Sequence, residues 1–244
     1  MGALALNKTV DDFLSGYSKL GTPDEKIEHK VEGSLLFDGF EELVKQYERI
    51  LAIGENGFIC ISELLGAFSQ IMSVLQSEQI NSFLQATKRY EDREEYSNYT
   101  GRFITKLIEN SHDAGNNKFT LNTRDLKEID CIGFCLKVRR KKLLEIIIDG
   151  NVGDACFERA KNIGRIHISG NAGAYCACEA ENIREIYICG EARRGCGDRA
   201  ENSKFKTPNK ETLQLLKEKV PKYMGNKIYF IHQNKHEEEI EWQQ

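Results

Sequence analysis

The sequence predicts an α+β fold: an N-terminal helical bundle, then a short parallel β-solenoid of 20-residue coils, then a C-terminal helix–strand cap. In the first half of the chain, apolar residues recur every three or four positions, as on one face of an α-helix. In the second half, a repeat occupies residues 131–207, and each full copy contains one apolar–polar alternation typical of a β-strand. We therefore expect a helical domain at 1–115, a solenoid domain at 116–207 and a cap at 208–244.

Composition and charge exclude several classes of protein. The 244 residues are 40% hydrophobic and 30% charged, which is typical of a soluble folded chain. Lys and Arg (34) nearly balance Asp and Glu (38), and the net charge of −4 argues against a nucleic-acid partner. No apolar run reaches the roughly 18 residues that a membrane-spanning helix needs. The first ten residues lack the basic segment of a secretory signal, so we expect a cytoplasmic protein with reduced cysteines.

The helical segment is predicted from its start signals and its spacing. Residues 22–25 read Thr-Pro-Asp-Glu, which places Pro and two carboxylates in the first turn of a helix. Apolar residues at helical spacing follow through 27–51. Further helices are predicted at 61–75, from Ser77 onward, and at 97–114, where Gly115 ends the last of them.

Four consecutive blocks align without gaps at 131–150, 151–170, 171–190 and from 191 to about Thr207. The shared columns are Ile146, Ile166 and Ile186; Ile148, Ile168 and Ile188; Gly150, Gly170 and Gly190; Gly133, Gly153 and Gly173; and Asn162, Asn182 and Asn202. A single short strand cannot bury its apolar face alone, so the strands of successive blocks must stack in parallel around one core. The asparagine column predicts a side-chain ladder at a corner before the strand. Residues 119–121 predict a less regular first coil.

The segments Gly150-Asn151-Val152-Gly153-Asp154 and Gly170-Asn171-Ala172-Gly173 each follow an Ile-x-Ile-x strand. They resemble the Gly-rich coils of the right-handed parallel β-helix in the C-terminal domain of glutamate synthase and in a subunit of formylmethanofuran dehydrogenase. The similar segment covers only the repeat, 131–207. The pattern Leu/Ile-x-x-Ile-x-Ile-x-x-Asn also resembles a leucine-rich repeat, although Gly153 and Gly173 replace a leucine of that repeat. Either resemblance implies a scaffolding or binding role, and we favour the β-helix.

The segments that flank the repeat suit a capping role. Terminal coils of a solenoid expose an apolar end and unpaired strand edges unless another element covers them. After Pro208, the sequence predicts a helix at 211–220 and a strand at 227–232. We expect these elements to cover one end of the solenoid and the N-terminal helices to cover the other.

Cys156, Cys176 and Cys196 lie one coil apart in a single column. Adjacent coils are about 4.8 Å apart, so two sulfurs could share a zinc ion at roughly 2.3 Å per bond. The column is therefore a candidate zinc or iron–sulfur site. A third sulfur would lie too far along the column, and small buried thiols are common core residues. We therefore favour packing without a cofactor.

Three further patterns in the sequence each have a functional and a simpler structural interpretation. His167, Tyr187 and Ile147 alternate outward on successive strands and form a candidate binding face. The basic run at 137–142 could contact nucleic acid, but Glu179 interrupts its column, which favours a solvated coil face. Residues 54–63 resemble the end of a calcium loop without its early oxygen ligands, which favours a helix–turn–helix.

The sequence thus favours a non-enzymatic scaffold or protein-interaction module, with a protein partner and without a membrane, a catalytic residue or a cofactor. The alternative is a structural subunit of a redox or amidotransferase-type enzyme complex, with a metal held by the cysteine column. That alternative follows from where similar Gly-rich β-helices occur, which is an analogy of fold alone.

Overall fold

The computed structural model describes residues 37–55, 61–139, 143–233 and 236–240. The helix start predicted at 22–25, the first part of the apolar pattern at 27–51 and the centre of the segment that resembles a calcium loop lie outside these ranges. Four α-helices precede the sheet: α1 (Phe40–Glu55), α2 (Ile61–Ser69), α3 (Ser77–Ala86) and α4 (Tyr96–Asp113). A 3₁₀ turn at Thr87–Tyr90 follows α3.

Aromatic side chains hold α1, α3 and α4 together. The ring of Tyr47 lies edge-on to Phe83 and Phe103, at centroid distances of 5.6 and 5.3 Å. Phe83 and Phe103 stack on each other at 5.1 Å. The buried hydroxyl of Tyr47 lies 2.6 Å from Oγ1 of Thr100, so its burial leaves no unpaired polar group.

The helix predicted at 61–75 ends earlier, at Ser69. The backbone of the following segment hydrogen-bonds to side chains of α4, because Nδ2 of Asn110 donates to the carbonyl of Ile71 at 2.7 Å. The N–H of Leu75 likewise donates to Oγ of Ser111 at 2.9 Å. Met72 and Val74 face solvent, whereas Ile71 and Leu75 are buried.

One seven-stranded sheet follows, with its strands in chain order. Its strands are β1 (Lys118–Asn122), β2 (Glu145–Asp149), β3 (Arg165–Ile168), β4 (Ile186–Ile188), β5 (Lys204–Thr207), β6 (Lys227–Ile231) and β7 (Glu237–Glu239). Neighbouring strands from β1 to β6 are parallel, and β7 is antiparallel to β6. This confirms the α+β class with a mostly parallel sheet.

The predicted strand register is confirmed in the central blocks. Ile146 pairs with Ile166, and Ile166 pairs with Ile186, with each side chain fully buried. Isolated bridges extend the same 20-residue offset to the corners, from Lys161 to Glu181 and on to Glu201.

The gapless alignment is wrong in the first block and at the strand of the fourth, where Ile186 pairs with Phe205, 19 residues later. Lys137 pairs with Lys161, 24 residues later, whereas Glu145 pairs with Arg165, 20 residues later. The first coil therefore carries four extra residues between Lys137 and Glu145, within and just after the basic run. Extra residues between two paired segments need not break the ladder on either side. Gly133 consequently lies against the ring of Phe157 and not beside Gly153.

The asparagine column stands at corners where the backbone is left-handed. Asn162, Asn182 and Asn202 have φ values of +61°, +57° and +48°. Asparagine tolerates this conformation better than most residues, because its short polar side chain can bond locally. Nδ2 of Asn182 also donates to Oδ1 of Asn162 at 3.3 Å, which confirms a ladder contact between these two coils.

Side chains of α3 satisfy the outer edge of β1. Ser77 and Asn81 lie four residues apart on one helix face. Oγ of Ser77 accepts a hydrogen bond from the N–H of Thr120 at 2.8 Å. Oδ1 of Asn81 accepts one from the N–H of Asn122 at 2.7 Å. A strand edge that would otherwise be open is therefore paired.

Helix α4 approaches the next part of the first coil through a stripe of small residues. Oγ of Ser97 accepts from the N–H of Asp130 at 3.1 Å, and Oγ1 of Thr105 accepts from the N–H of Gly133 at 2.7 Å. Between them, a Cβ on Gly101 would lie 1.7 Å from the carbonyl oxygen of Asp130. Only glycine permits this close approach of two backbones.

After β5, the chain forms α5 (Lys210–Lys219), a 3₁₀ turn (Lys222–Met224), β6 and β7. The predicted helix and the predicted strand are confirmed within one residue, and the antiparallel β7 is additional. Oδ1 of Asn209 accepts from the N–H of Thr212 at 2.9 Å and caps α5. Asn226 binds the last coil, because its Oδ1 accepts from the N–H of Ser203 at 2.9 Å. Its Nδ2 donates to the carbonyl of Ala200 at 2.6 Å.

None of the helices in the described ranges combines the length and the apolar character that crossing a bilayer requires.

Candidate functional site

The outward side of the sheet, which we call the strand face, carries one continuous row of side chains. The register places Thr120, Ile147, His167, Tyr187, Lys206 and Tyr229 opposite one another on β1 to β6. The predicted binding-face residues Ile147, His167 and Tyr187 are therefore neighbours, and each is half-buried. The structure brings the three together, and binding by them stays a prediction.

A cysteine completes this group. Cys189 directly follows β4, two positions after Tyr187, so the strand alternation turns it to the same face. Its Sγ lies 3.5 Å from Nε2 of His167. The rings of His167 and Tyr187 meet edge-on at 4.9 Å. We call these three residues the Cys–His–Tyr cluster.

Burial controls the protonation of the cluster. It lowers the pKa of His167, and the nearby guanidinium of Arg165 lowers that pKa further. Burial also raises the pKa of Cys189, against the opposing effect of the hydrogen bond from Tyr187. Near neutral pH, the pair therefore consists of a neutral imidazole and a thiol.

A chain of ion pairs runs beside the cluster. Nη1 of Arg165 lies 3.5 Å from Oε1 of Glu145, and Nε of Arg165 lies 2.9 Å from Oε1 of Glu185. Glu185 continues the chain to Nζ of Lys206 at 2.9 Å. Burial opposes ionisation of Glu185, but Lys206 and Arg165 together lower its pKa. These opposite charges across neighbouring strands favour a single register of the sheet.

The cysteine column is buried, whereas the strand face is partly accessible. Cys156, Cys176 and Cys196 are each fully buried, and Sγ of Cys156 donates to the carbonyl of Ile129 at 3.3 Å. Burial raises the pKa of Cys156 well above its ordinary value. The hydrogen bond with Cys176, together with burial, does the same for Cys196. This environment favours packed thiols over the thiolates that a metal needs.

Across the ranges that the structure describes, no group of three His, Cys, Asp or Glu side chains is arranged to hold a metal ion. The zinc or iron–sulfur site at the cysteine column stays a prediction.

On another side of the coils, the arginines beside the basic run are paired. Nε of Arg159 lies 2.7 Å from Oε2 of Glu179, and Nη1 of Arg199 lies 3.0 Å from Oε1 of the same residue. The hydrogen bond from Arg159 lowers the pKa of Glu179 and keeps it ionised. Lys137 and Arg139 are exposed, whereas 140–142 lie outside the described residues. The glutamate that interrupts the sequence column thus forms an ion pair with both neighbouring arginines.

The sequence predicts His167 and Tyr187 as part of the candidate binding face but does not predict Cys189 there. The sequence contains the information that places Cys189 near His167. Position 189 lies on the same face as Tyr187 because it is two residues later, and His167 lies opposite Tyr187 on the preceding strand. A diagonal neighbour of this kind is within side-chain reach on a sheet.

Comparison of the chain with protein-family profiles, with curated protein sequences and with solved structures finds no match. The resemblance to Gly-rich β-helices and to leucine-rich repeats therefore stays a prediction.

Proposed function

We propose that the chain is a non-enzymatic protein-interaction module of the cytoplasm, built on a short parallel β-solenoid with a cap at each end. In this proposal, the strand face binds a protein partner through Ile147, His167 and Tyr187. The helical domain at 1–115 and the segment at 208–244 act as the two caps.

Backbone pairing on several sides of each coil supports the solenoid. Strands pair at a 20-residue offset, and the same offset recurs at separate bridges such as Val152 to Ala172 and Ala172 to Ala192. Stacking of whole coils explains the backbone pairing at all of these positions, whereas an ordinary open sheet explains only the pairing between the strands. The hydrogen bonds from α3, α4 and Asn226 to the terminal coils support the capping roles.

The observation that best supports a binding role is the row formed by Ile147, His167 and Tyr187. These residues lie in register on β2, β3 and β4, and each of these strands pairs with a neighbouring strand on both sides. Aromatic side chains supply much of the energy of protein interfaces, because they bury large areas with few rotatable bonds. Burial in the sheet has already reduced the freedom of these side chains, which lowers the entropic cost of binding.

The test compares complexes formed by three purified proteins. The first is the natural chain, the second carries Ile147→Ser, His167→Ala and Tyr187→Ala together, and the third carries Tyr175→Ala. Tyr175 is an exposed aromatic residue of a corner, and alanine already occupies the equivalent left-handed position at Ala155. The third protein therefore controls for the loss of an exposed ring elsewhere.

Immobilised proteins would capture partners, and each partner would then be purified and titrated against all three chains by calorimetry. We expect at least a tenfold loss of affinity in the triple variant and no loss in Tyr175→Ala, since interface anchors contribute about 1–4 kcal/mol each. Equal affinities for all three chains would refute the strand face as the binding surface. Matching thermal unfolding midpoints would show that the triple variant is folded.

A further inference from the structure

We propose that Cys189 is a site of covalent modification by low-molecular-weight disulfides, and that His167 is the base that accepts its proton. The Cys–His–Tyr cluster brings a nucleophile, a proton acceptor and a hydroxyl group together at the accessible side of the sheet. The reaction is stoichiometric and needs no protein partner, so it is independent of the interaction role proposed above.

The geometry fits a thiol whose proton is transferred to an imidazole. A nucleophile and a base within hydrogen-bond reach, with the base oriented by a third group, are the arrangement that activates a cysteine. Sγ of Cys189 and Nε2 of His167 are 3.5 Å apart, which is within range for a hydrogen bond that involves sulfur. The edge of one ring against the other, at 4.9 Å, holds the imidazole of His167 against Tyr187.

The hydroxyl of Tyr187 favours the ionised form of the sulfur. Its hydrogen bond acts to lower the pKa of Cys189, opposite to the effect of burial. As the proton leaves for His167, negative charge develops on Sγ and this hydrogen bond strengthens. Because the imidazole is neutral near pH 7, it is already in the form that accepts a proton.

The step balances without an additional oxidant. Nε2 of His167 takes the proton from the thiol of Cys189, and Sγ attacks one sulfur of the disulfide. A new S–S bond forms to Cys189, the original S–S bond breaks, and the departing thiolate takes the proton from the imidazolium. The protein thiol is oxidised to a mixed disulfide, and half of the small disulfide is reduced to a free thiol.

The other cysteines in the described ranges provide internal comparisons. Five of them are buried: Cys131, Cys156, Cys176, Cys178 and Cys196. Cys135 is exposed, and its neighbouring charges come from Arg159 and Arg102 rather than from an imidazole. If accessibility alone decided reactivity, Cys135 would react faster than the half-buried Cys189.

The experiment incubates the full reduced chain with oxidised glutathione at pH 7, stops the reaction with acid, and follows each cysteine by peptide mass spectrometry. We expect Cys189 to form the mixed disulfide about tenfold faster than Cys135; this is less than the ~10²–10⁴-fold that a positioned base contributes, because Cys135 is the more exposed thiol. His167→Gln should slow Cys189 by about the same factor and leave Cys135 unchanged. Equal rates at the two cysteines, or an unchanged rate at Cys189 in the variant, would overturn the proposal.

A second measurement on the unaltered chain avoids any effect of substitution on folding. The charged and titratable groups around His167 are Arg165 on its own strand, Glu145 and Asp149 on β2, and Glu185, Tyr187 and Cys189 on or beside β4. With His167 as base, the rate at Cys189 should be nearly constant between about pH 7 and 8, whereas the rate at Cys135 should rise about tenfold with its thiolate fraction. A tenfold rise at both sites would refute a role for His167.

Discussion

Replacing Asn226 by alanine tests how strongly the C-terminal segment that we propose as a cap is attached to the last repeat block. The side chain of Asn226 is 6% exposed and makes three hydrogen bonds to backbone groups. It accepts from the N–H of Ser203 at 2.9 Å and donates to the carbonyls of Ala200 and Pro221 at 2.6 and 2.8 Å. Alanine would leave the buried N–H of Ser203 and the carbonyl of Ala200 without these partners.

Each buried polar group that loses its partner costs about 1–3 kcal/mol, so the two groups together should lower the free energy of unfolding of Asn226→Ala by about 2–6 kcal/mol. Urea denaturation followed by circular dichroism measures this loss as a lower midpoint with an unchanged slope. Asn209→Ala is the matched control, because it removes only the cap of α5 and should cost about 1 kcal/mol. If Asn226→Ala cost no more than this control, the argument that Asn226 attaches the cap to the coil would be refuted.

Three further outcomes are expected. Asn182→Leu should lower the thermal unfolding midpoint more than Glu181→Gln does. Leucine at a φ of +57° is strained by about 1–2 kcal/mol, and the hydrogen bond from Asn182 to Asn162 is lost. Equal midpoints for the two variants would contradict stacking of the asparagine column. The pKa of His167, followed by NMR, should lie below 6.5 and should rise in Arg165→Gln, because one nearby positive charge is removed. His167 binds a proton less readily in the native state than in the unfolded chain. Its contribution to the free energy of unfolding should therefore fall as the pH drops from 6.5 to the native pKa of His167. His167→Gln should abolish that part of the pH dependence. Finally, anaerobically purified protein should contain no stoichiometric metal, because buried thiols with raised pKa values are poor ligands. Metal that is present in the natural chain and lost in the Cys156→Ser, Cys176→Ser, Cys196→Ser triple variant would instead establish the cysteine column as a site.

The central strands could be predicted because several local signals agree there. In 165–168 and 185–188, period-two alternation and β-branched residues both favour a strand, and a glycine follows two residues later. The alignment of the first block is misleading because Gly133 and Gly153 are 20 residues apart by chance and do not occupy equivalent positions. The true register depends on backbone bonds such as the one from the N–H of Cys131 to the carbonyl of Asp154, which sequence spacing does not encode.

Long-range competition explains the other differences from the sequence predictions. The apolar spacing of Ile71 and Leu75 suits a helix, but side chains of α4 nearly forty residues away bond the backbone of this segment instead. The strand β7 consists of three glutamates, which have low strand propensity, and forms because it follows β6 in a hairpin. Two of its glutamates also form ion pairs with lysines of the preceding strands, Glu237 with Lys206 and Glu239 with Lys227.

If the repeat blocks stack as we propose, the bridges at Ala172 imply that the chain can change in length by whole blocks. Ala172 pairs with Val152 on one side and with Ala192 on the other, so the middle coil presents equivalent edges in both directions. The hydrogen bonds of α3 and α4 described above go to the first coil, and those of Asn226 go to the last. A duplicated copy of 151–170 inserted after Gly170 would therefore meet matching edges, and the row of outward side chains would grow by one strand spacing of about 4.8 Å. Duplication of a block within the gene could thus lengthen the strand face by one strand at a time, without changes to the residues that contact the first and last blocks.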